Sequence, residues 1–449
     1  MVNKMKEILQ LALRNLTRQK RRSVMLAVAI GFGFFVVTVI DGLASGAVQN
    51  LENQITQLVG GTVFIQGSER GPATDRDTKG KLMTVIRDPG YVRSLLEKNN
   101  IKYSYASQYT SSNGQLLFNS KRVIAALMGR NFEEEPNLVK SFEVLSGDLN
   151  NLSQRNALVL SKKTADSLKM QVGDSVLYTT QTINGQNTVG EFTLVAVIKD
   201  AGLMSSMSAY VRQDALNELL EMPENAYDTF AIVLADKKQQ DKVAARIEQL
   251  IRDDGKLVTS RAEALKANPQ NPTVSIRKQL KDSSWEGTKY LVVSLNDAVP
   301  QLNQVLSVVH IVTTIILLVI LIIVMIGISN TYRMILYERI REIGTMRALG
   351  MTGKDTGRVF TTEALILSFT GAVAGFVLGL SGMAVFGLFR FNSDTMSFFL
   401  NNGHATFVLS PVSIAGQYVL MIVLTILAVH STAKNASTIS PAAALRTVK

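Results

Sequence analysis

Four stretches of the chain are nearly free of charged residues and long enough to cross a lipid bilayer. A hydrocarbon core of about 30 Å is spanned by roughly 20 apolar residues in a helix. The third stretch is longer than one crossing requires, so its helix should tilt or project from the membrane. We predict transmembrane helices at residues 23–45, 305–332, 359–390 and 411–433.

Between the first two of these helices the pattern changes to short β-branched runs bounded by Gly, Asn or Asp, which predict strands. The runs are residues 61–66, 122–128, 157–160, 174–180 and 191–198. Periodic segments that predict helices are residues 162–169, 213–221 and 239–253. The polar residues 254–283, with Pro269 and Pro272, predict a mobile connection. The fold predicted is a membrane α-helical protein with four transmembrane helices and a large α+β domain, residues 59–290, inserted between the first two.

Apolar residues recur at spacings of three and four on both sides of the inserted domain, which is the spacing of a helical seam. We predict that stalk helices at residues 46–58 and 291–304 continue the first two transmembrane helices. Ordinary packing of amphipathic helices against the domain is the alternative. The seam residues are Val48, Leu51, Ile55, Leu58, Leu302, Val305 and Val309.

Two short patterns within the predicted spans concern packing and contact with other molecules. Small residues at i, i+4 and i+8 of the third span let another helix approach closely, and they are Gly371, Gly375 and Gly379. The first span carries an aromatic group, interpreted as a lipid-facing patch with a hydrophobic substrate site as the alternative. The group consists of Phe32, Phe34 and Phe35.

The charges predict how the chain is oriented. The chain has 47 Lys and Arg against 36 Asp and Glu, a net charge of +11, but residues 46–300 hold 30 basic and 29 acidic residues. The excess therefore flanks the apolar helices, where it marks the cytoplasmic side and favours lipid over nucleic acid as a partner. The segments predicted to be cytoplasmic are the interfacial amphipathic helix at residues 1–22, the loop 333–358 and the tail 434–449. Residues 46–300 and the loop 391–410 are predicted to lie outside.

Candidate chemistry is sparse. The absence of cysteine excludes disulfides and thiolate metal sites, and the three histidines lie on separate segments. A phosphate-binding loop needs Gly-x4-Gly-Lys-Ser/Thr, and neither Gly80-Lys81 nor Gly353-Lys354 fits this spacing. We therefore predict no catalytic residues, no metal site and no cofactor bound by this chain.

The loop between the second and third spans holds the most specific segment, which reads YERIREIGTMRALG from Tyr337 to Gly350. A helix with an apolar face and flanking charges can dock into a protein groove by its anchors, with its charges setting the register. A helix lying on the membrane surface is the alternative. The predicted contact residues are Glu338, Arg339, Arg341, Glu342, Ile343, Met346, Arg347, Leu349 and Gly350.

This segment and its continuation, MTGKDTGRVFTTEALILSFTGAVAGFVLG, resemble the signature of the MacB/FtsX/LolC-type permeases of ABC transporters. LALRNLTRQKRRSVMLAVAIGFG near the start and SPAAALR near the end are also similar to that family. The resemblance implies a dimer of permease subunits, homo- or heterodimeric, in a bacterial inner membrane. A separate ATPase dimer would bind ATP and Mg and contact residues 338–350, and its motion would pass to the outer domain, which is called mechanotransmission.

The resemblance also implies a porter-like part, residues 59–104 with 223–290, and an inserted subdomain, residues 105–222. No fused nucleotide-binding domain is seen, which favours the branch that releases lipoproteins from the inner membrane, with lipoprotein and a periplasmic carrier as partners. Export of peptides or drugs with a periplasmic adaptor stays open, as does FtsX-like signalling to a cell-wall hydrolase.

Overall fold

The computed structural model describes residues 2–18, 20–71, 80–200, 208–391, 400–401 and 403–438. The chain forms two compact units. One, here called the membrane unit, comprises Met1–Leu51 and Leu306–Lys449, and the other, here called the β domain, comprises Glu52–Val305. Within the predicted tail 434–449, residues 439–449 lie outside the described residues.

The α-helices of the described chain differ greatly in length, and the four longest are the apolar ones. They are α1 (Val2–Arg18), α2 (Lys20–Val59), α3 (Tyr91–Lys98), α4 (Pro136–Ser141), α5 (Lys162–Leu168), α6 (Gln213–Leu219), α7 (Gln240–Asp253), α8 (Arg261–Ala267), α9 (Pro272–Asp282), α10 (Leu295–Ala298), α11 (Pro300–Glu338), α12 (Ile340–Ala348), α13 (Gly353–Gly387) and α14 (Pro411–Thr438).

Helices α2, α11, α13 and α14 are long and apolar enough to cross a membrane, which confirms the prediction of four transmembrane helices. Their inward faces share one core, which includes Ile30, Phe34, Leu321, Phe360 and Val429. The outward faces of the same helices carry most of the exposed large apolar side chains in the described chain. This distribution is expected where the surrounding solvent is lipid.

Helices α2 and α13 approach each other closely at the predicted glycine stripe. A Cβ atom at Gly375 would lie 2.1 Å from the carbonyl oxygen of Gly31, and one at Gly371 would lie 2.7 Å from a backbone oxygen of α2. At Gly379 the nearest atom would be a methyl carbon of Thr38 at 3.5 Å, an ordinary contact. The close approach therefore depends on the first two glycines of the stripe and not on the third.

The strands of the described chain lie in the β domain apart from one small pair. They are β1 (Val63–Arg70), β2 (Leu82–Thr84), β3 (Tyr105–Phe118), β4 (Lys121–Arg130), β5 (Val144–Gly147), β6 (Ala157–Ser161), β7 (Ser175–Gln181), β8 (Asn187–Ile198), β9 (Ser208–Arg212), β10 (Thr229–Val233), β11 (Leu257–Val258), β12 (Lys289–Ser294), β13 (Leu400–Asn401) and β14 (His404–Ala405).

The long strand β3 joins two parts of the β domain. Its C-terminal half belongs to a closed ring with the pairing β3–β4–β9–β6–β8–β7–β3. Closure leaves this ring without a free edge, and its interior is filled by apolar side chains such as Leu116, Leu127 and Tyr178. The predicted strands 122–128, 157–160, 174–180 and 191–198 correspond to β4, β6, β7 and β8.

The N-terminal half of β3 continues a sheet with the order β11–β12–β1–β10–β3. Helices α3 and α7 cover this sheet, and the core between them includes Ile65, Leu96, Phe230, Ile247 and Val292. Residue 105, the first residue of the predicted inserted subdomain, is also the first residue of the shared strand.

Two predictions about the β domain are wrong. Residues 254–283, predicted to be a mobile connection, instead contain the helices α8 and α9. Pro272 stands in the first turn of α9, where proline is tolerated. The stalk helix predicted at residues 291–304 does not exist as such. Residues 291–294 belong to β12, and a short helix, α10, precedes α11, which begins at Pro300. The aromatic and β-branched sequence of β12 suits its position between two strands.

Candidate functional site

The segment between the second and third apolar helices forms α12, which is shorter than predicted. Glu338 is the last residue of α11, and Arg339 interrupts the helical conformation with φ −97° and ψ 10°. The helix then covers nine residues, and the turn after it contains Gly350, whose φ of +99° suits glycine. The thirteen-residue helix predicted from residue 338 to residue 350 is therefore a kink, a short helix and a turn.

The apolar residues of α12 and of the turn after it do not share one environment. Ile343 is fully buried in the core of the membrane unit, and Met346 packs against the same core. Leu349 is 88% exposed. The prediction that Ile343 anchors a partner is wrong, because the chain itself covers that face of the helix, whereas Leu349 is available for contact.

The charges of the segment also separate into a buried and an exposed set. Arg339 Nη1 lies 3.0 Å from Oε2 and 3.3 Å from Oε1 of Glu363, and both side chains are less than one-tenth exposed. The Nδ2 of Asn15 donates to Glu363 Oε1 at 2.6 Å, and Arg339 Nε donates to Glu342 Oε2 at 2.9 Å. Arg339, predicted to be an accessible contact residue, is therefore the centre of a buried network.

The remaining charged residues of the segment are accessible. Arg341 is exposed, and the side chain of Glu342 is 46% exposed although it accepts from Arg339. Glu338 is exposed and forms an ion pair with Arg22 of α2, and Arg347 is partly exposed. An exposed strip, here called the α12 strip, consists of Glu338, Arg341, Glu342, Thr345 and Leu349.

An open groove of about 490 Å³ adjoins the end of α12. One side is formed by α1, including Ile8 and Leu11, and the other by the turn from Leu349 to Thr352. Helix α1 is held in place by its own apolar face, since Ile8 and Ala12 are buried and the helix contacts α13. The N-terminal amphipathic helix therefore packs on the membrane unit as well as carrying basic residues.

Among the seam residues whose side chains the structure describes, only Leu51 and Ile55 of α2 are buried. Leu51 and Ile55 are 6% and 8% exposed, and Val48 is partly buried. On α11, Val305 is 47% exposed and Val309 is partly exposed. The side chains of Leu58 and Leu302 lie outside those that the structure describes. The role of this seam stays a prediction.

The three phenylalanines of the first span do not form a single patch. Phe34 is fully buried, with its ring centroid 4.5 Å from that of Tyr418. Phe32 is 65% exposed, and Phe35 is partly buried. The interpretation of all three as one surface for lipid or substrate is wrong for Phe34, because the helix turns that side chain into the bundle core.

A polar network that was not predicted from the sequence lies where the chain leaves the β domain. Arg261 is buried and forms ion pairs with Asp297 and Asp241. Asp297 also accepts from the backbone N–H of Ser294 at 3.0 Å, completing a capping box at α10. Ser294 Oγ donates to Asp241 Oδ1 at 2.8 Å. The sequence signal that could have revealed part of this network is the capping-box spacing, since Ser294 stands three residues before Asp297.

A second buried arginine lies where the chain enters the same domain. Arg130 is 2% exposed, donates to Ser107 Oγ at 2.6 Å and lies with its guanidinium carbon 4.2 Å from the ring centroid of Tyr109. A Cβ atom at Gly60, the residue after α2, would lie 2.6 Å from Arg130 Nη2. A buried arginine of the β domain thus lies near the point where the chain enters this domain and another near the point where it leaves.

Four apolar helices with an α/β domain between the first and second have the architecture of an ABC transporter permease. A family model described as FtsX-like permease C-terminal matches residues 314–441. A model described as MacB-like periplasmic core domain matches residues 23–250, about half of the chain. The chain belongs to the MacB/FtsX-type family of ABC transporter permeases and is a multi-pass membrane protein with a periplasmic domain.

Curated relatives agree with this assignment. An uncharacterized ABC transporter permease of Methanocaldococcus jannaschii is 18% identical over 383 residues, which are 84% of each chain. The pyoverdine export ATP-binding/permease protein of Pseudomonas syringae pv. tomato is 46% identical over 56 residues, 12% of this chain and 8% of that protein. As a permease of an ABC transporter, the chain has an ATPase as its partner.

Solved structures similar to this chain include two outer domains. The periplasmic region of MacB from Actinobacillus actinomycetemcomitans matches 54% of this chain and 92% of that chain, with 13% identity and a TM-score of 0.28. The extracellular domain of the noncanonic ABC-type transporter YknZ from Gram-positive bacteria matches 43% and 94%, with 18% identity and a TM-score of 0.28.

Proposed function

We propose that this chain is a non-catalytic permease subunit that transmits the motion of a separate ATPase to the β domain. The observation that carries the proposal is the length of α2, which has 40 residues without interruption. At 1.5 Å per residue this helix is about 60 Å long, whereas a hydrocarbon core is about 30 Å thick. A single helix of this length can carry a displacement from the membrane into the β domain.

The proposed orientation places both termini and α12 in the cytoplasm of a cell whose inner membrane holds the four apolar helices. Its support is the charge asymmetry, because basic residues stay on the cytoplasmic side. The sequence also contains no Gly-x4-Gly-Lys-Ser/Thr motif, so ATP and Mg would be bound by the partner ATPase.

The α12 strip and its adjoining groove are the proposed ATPase contact. The strip offers one apolar anchor, Leu349, beside accessible charges of both signs. The groove between α1 and the turn after α12, which is lined by apolar and polar residues alike, opens beside this anchor. An apolar anchor supplies affinity, and flanking charges set the register of the contact.

Replacement of Leu349 by Asp tests this contact. Burying a leucine side chain contributes roughly 1.5–3 kcal/mol, so the variant should retain the ATPase at least about tenfold less well. The fold should be unaffected, because Leu349 is 88% exposed. Lys354→Asp is the matched control on the neighbouring exposed surface. Pull-down of the ATPase from membranes measures both variants, and full retention by Leu349→Asp would refute the proposed contact.

For the substrate we propose release of lipoproteins from the inner membrane as the first candidate, with a homo- or heterodimer of permeases and a periplasmic carrier. Export through a periplasmic adaptor is the second candidate, and the short matches to pyoverdine export proteins support it. Mass spectrometry of the complex purified from its native membrane distinguishes the two. A bound lipid-modified polypeptide supports release, and a bound unmodified peptide or small molecule supports export.

A further inference from the structure

The connection between α11 and α12 is a kink at one residue. The backbone N–H of Arg339 still donates to Ile335 O at 3.1 Å, and Ile343 donates to Arg339 O at 3.0 Å, so helical hydrogen bonds continue on both sides. The dihedral angles of Arg339 nevertheless leave the helical region. A kink of this kind can absorb part of a displacement of α12 by bending, so that less of the motion reaches the rest of the membrane unit.

The side chain of the kink residue is fixed to a different helix. The Arg339 guanidinium binds both carboxylate oxygens of Glu363 on α13 and lies 5.5 Å from the ring centroid of Phe360. Asn15 of α1 holds the same carboxylate. Three helices, α1, α12 and α13, are therefore tied at one buried carboxylate.

Burial distinguishes this ion pair from its neighbour. The side chains of Arg339 and Glu363 are 7% and 4% exposed, whereas those of Arg22 and Glu338 are 47% and 36% exposed. An exposed pair is screened by water and contributes little, whereas breaking a buried pair leaves an uncompensated charge. A buried pair between two helices therefore resists separation when one helix is pushed.

We propose that Arg339 is a positioning residue that makes α12, α13 and α1 move together, by binding Glu363 across the kink. The inference rests on the proposed function, because the motion comes from an ATPase bound at the α12 strip. A push on α12 is then delivered to α13, and to α1 packed on it, and is not absorbed by bending at Arg339. The pair acts on the transmission of motion and not on ATPase binding.

The cysteine-free sequence allows single reporters to be placed cleanly. A cysteine replaces Thr17 on α1 in one preparation and Thr345 on α12 in another, since both residues are exposed. Maleimide labelling rates are measured with and without ATP in the complex of the full chain with its ATPase. Each reporter is combined with Arg339→Met, and with Arg341→Met as the matched control at an exposed arginine of the same segment.

In the wild type and in Arg341→Met, ATP should change the labelling rate at both reporters. In Arg339→Met the change should persist at position 345 and be lost at position 17, with the ATPase still retained. Glu363→Gln, which keeps the side-chain shape, should show the same loss, and the exchanged pair Arg339→Glu with Glu363→Arg should restore the response.

An unchanged response at position 17 in both Arg339→Met and Glu363→Gln would overturn the proposal. Failure of the proposed function has a different signature, because the wild type would then fail to retain the ATPase and neither reporter would respond to ATP. Loss of the response at both positions in Arg339→Met, with the ATPase retained, would also overturn the proposal, since α12 itself would no longer move.

Discussion

Asp228 of the β domain is a buried carboxylic acid whose protonation should control the stability of that domain. It precedes β10 and is 6% exposed. Its Oδ2 accepts from the backbone N–H of Ser111 at 2.7 Å and from Ser111 Oγ at 2.8 Å. Oδ1 has no hydrogen-bond partner within the part of the chain that the structure describes. Burial raises the pKa of Asp228 to about 6.

The pKa difference sets the size and the sign of the effect. A rise from 3.8 in the unfolded chain to about 6 in the folded chain corresponds to about 3 kcal/mol. The fold favours the protonated acid, so this contribution is fully present below pH 3.8 and is lost as the pH rises through about 6. Asp228→Asn stays neutral at every pH. Its free energy of unfolding, relative to the wild type, should therefore rise by about 3 kcal/mol between pH 3.5 and pH 7.

Urea unfolding of the full chain in detergent measures this difference. The chain has one tryptophan, Trp285, whose indole N–H donates to Ser68 O at 3.2 Å within the β domain, so its fluorescence reports on that domain alone. Asp214→Asn is the control, and its stability relative to the wild type should change with pH in the opposite direction, because the hydrogen bond from Arg212 lowers the pKa of Asp214. If the free energies of unfolding of Asp228→Asn and the wild type differ by the same amount at every pH, the reasoning is refuted.

Two further predictions concern the membrane unit and the orientation of the chain. Gly375→Ala should separate α2 from α13, because the new Cβ would lie 2.1 Å from Gly31 O, and should therefore lower the thermal unfolding temperature in detergent. Gly416→Ala is the control, because no atom lies within 4 Å of its new Cβ. Equal unfolding temperatures for the two variants would contradict the close approach of α2 and α13. A cysteine that replaces the exposed Ser120 should react with an impermeant maleimide once the outer membrane is opened. A cysteine that replaces Thr345 should react only after the inner membrane is opened as well. The reverse pattern would refute the proposed orientation, with α12 in the cytoplasm and the β domain outside.

The four transmembrane helices could be predicted because bilayer thickness fixes both the length and the apolar character of a spanning helix. Four of the six ring strands, β4, β6, β7 and β8, could be predicted because their β-branched runs end at turn-forming residues, whereas β3 and β9 were not predicted. The error at residues 291–304 has a related cause. The seam residues Leu302, Val305 and Val309 do lie on a helix, but the run before them, including Val292 and Val293, pairs with β1, and periodicity alone does not locate the boundary.

The candidate site was less predictable, because a pattern shows that a face is apolar without showing what covers it. Ile343 and Leu349 looked equivalent in the sequence, yet the first is buried by the chain itself and the second is exposed. Arg339 was interpreted as a surface charge for the same reason. Its partner Glu363 is 24 residues away, and only the packing of α12 on α13 brings the two together.

The chain enters and leaves the β domain on neighbouring strands. Val63, the first residue of β1, pairs with Ser294, the last residue of β12, and the N–H of Leu295 donates to Thr62 O at 2.8 Å. Adjacent strands lie about 4.8 Å apart in any sheet, so the two chain ends keep this separation whatever is built between them. The β domain is therefore an insertion whose two ends lie close together. Chimaeras joined at Thr62 and Leu295 should allow domains of different size and specificity to be exchanged between permeases, during evolution or by design.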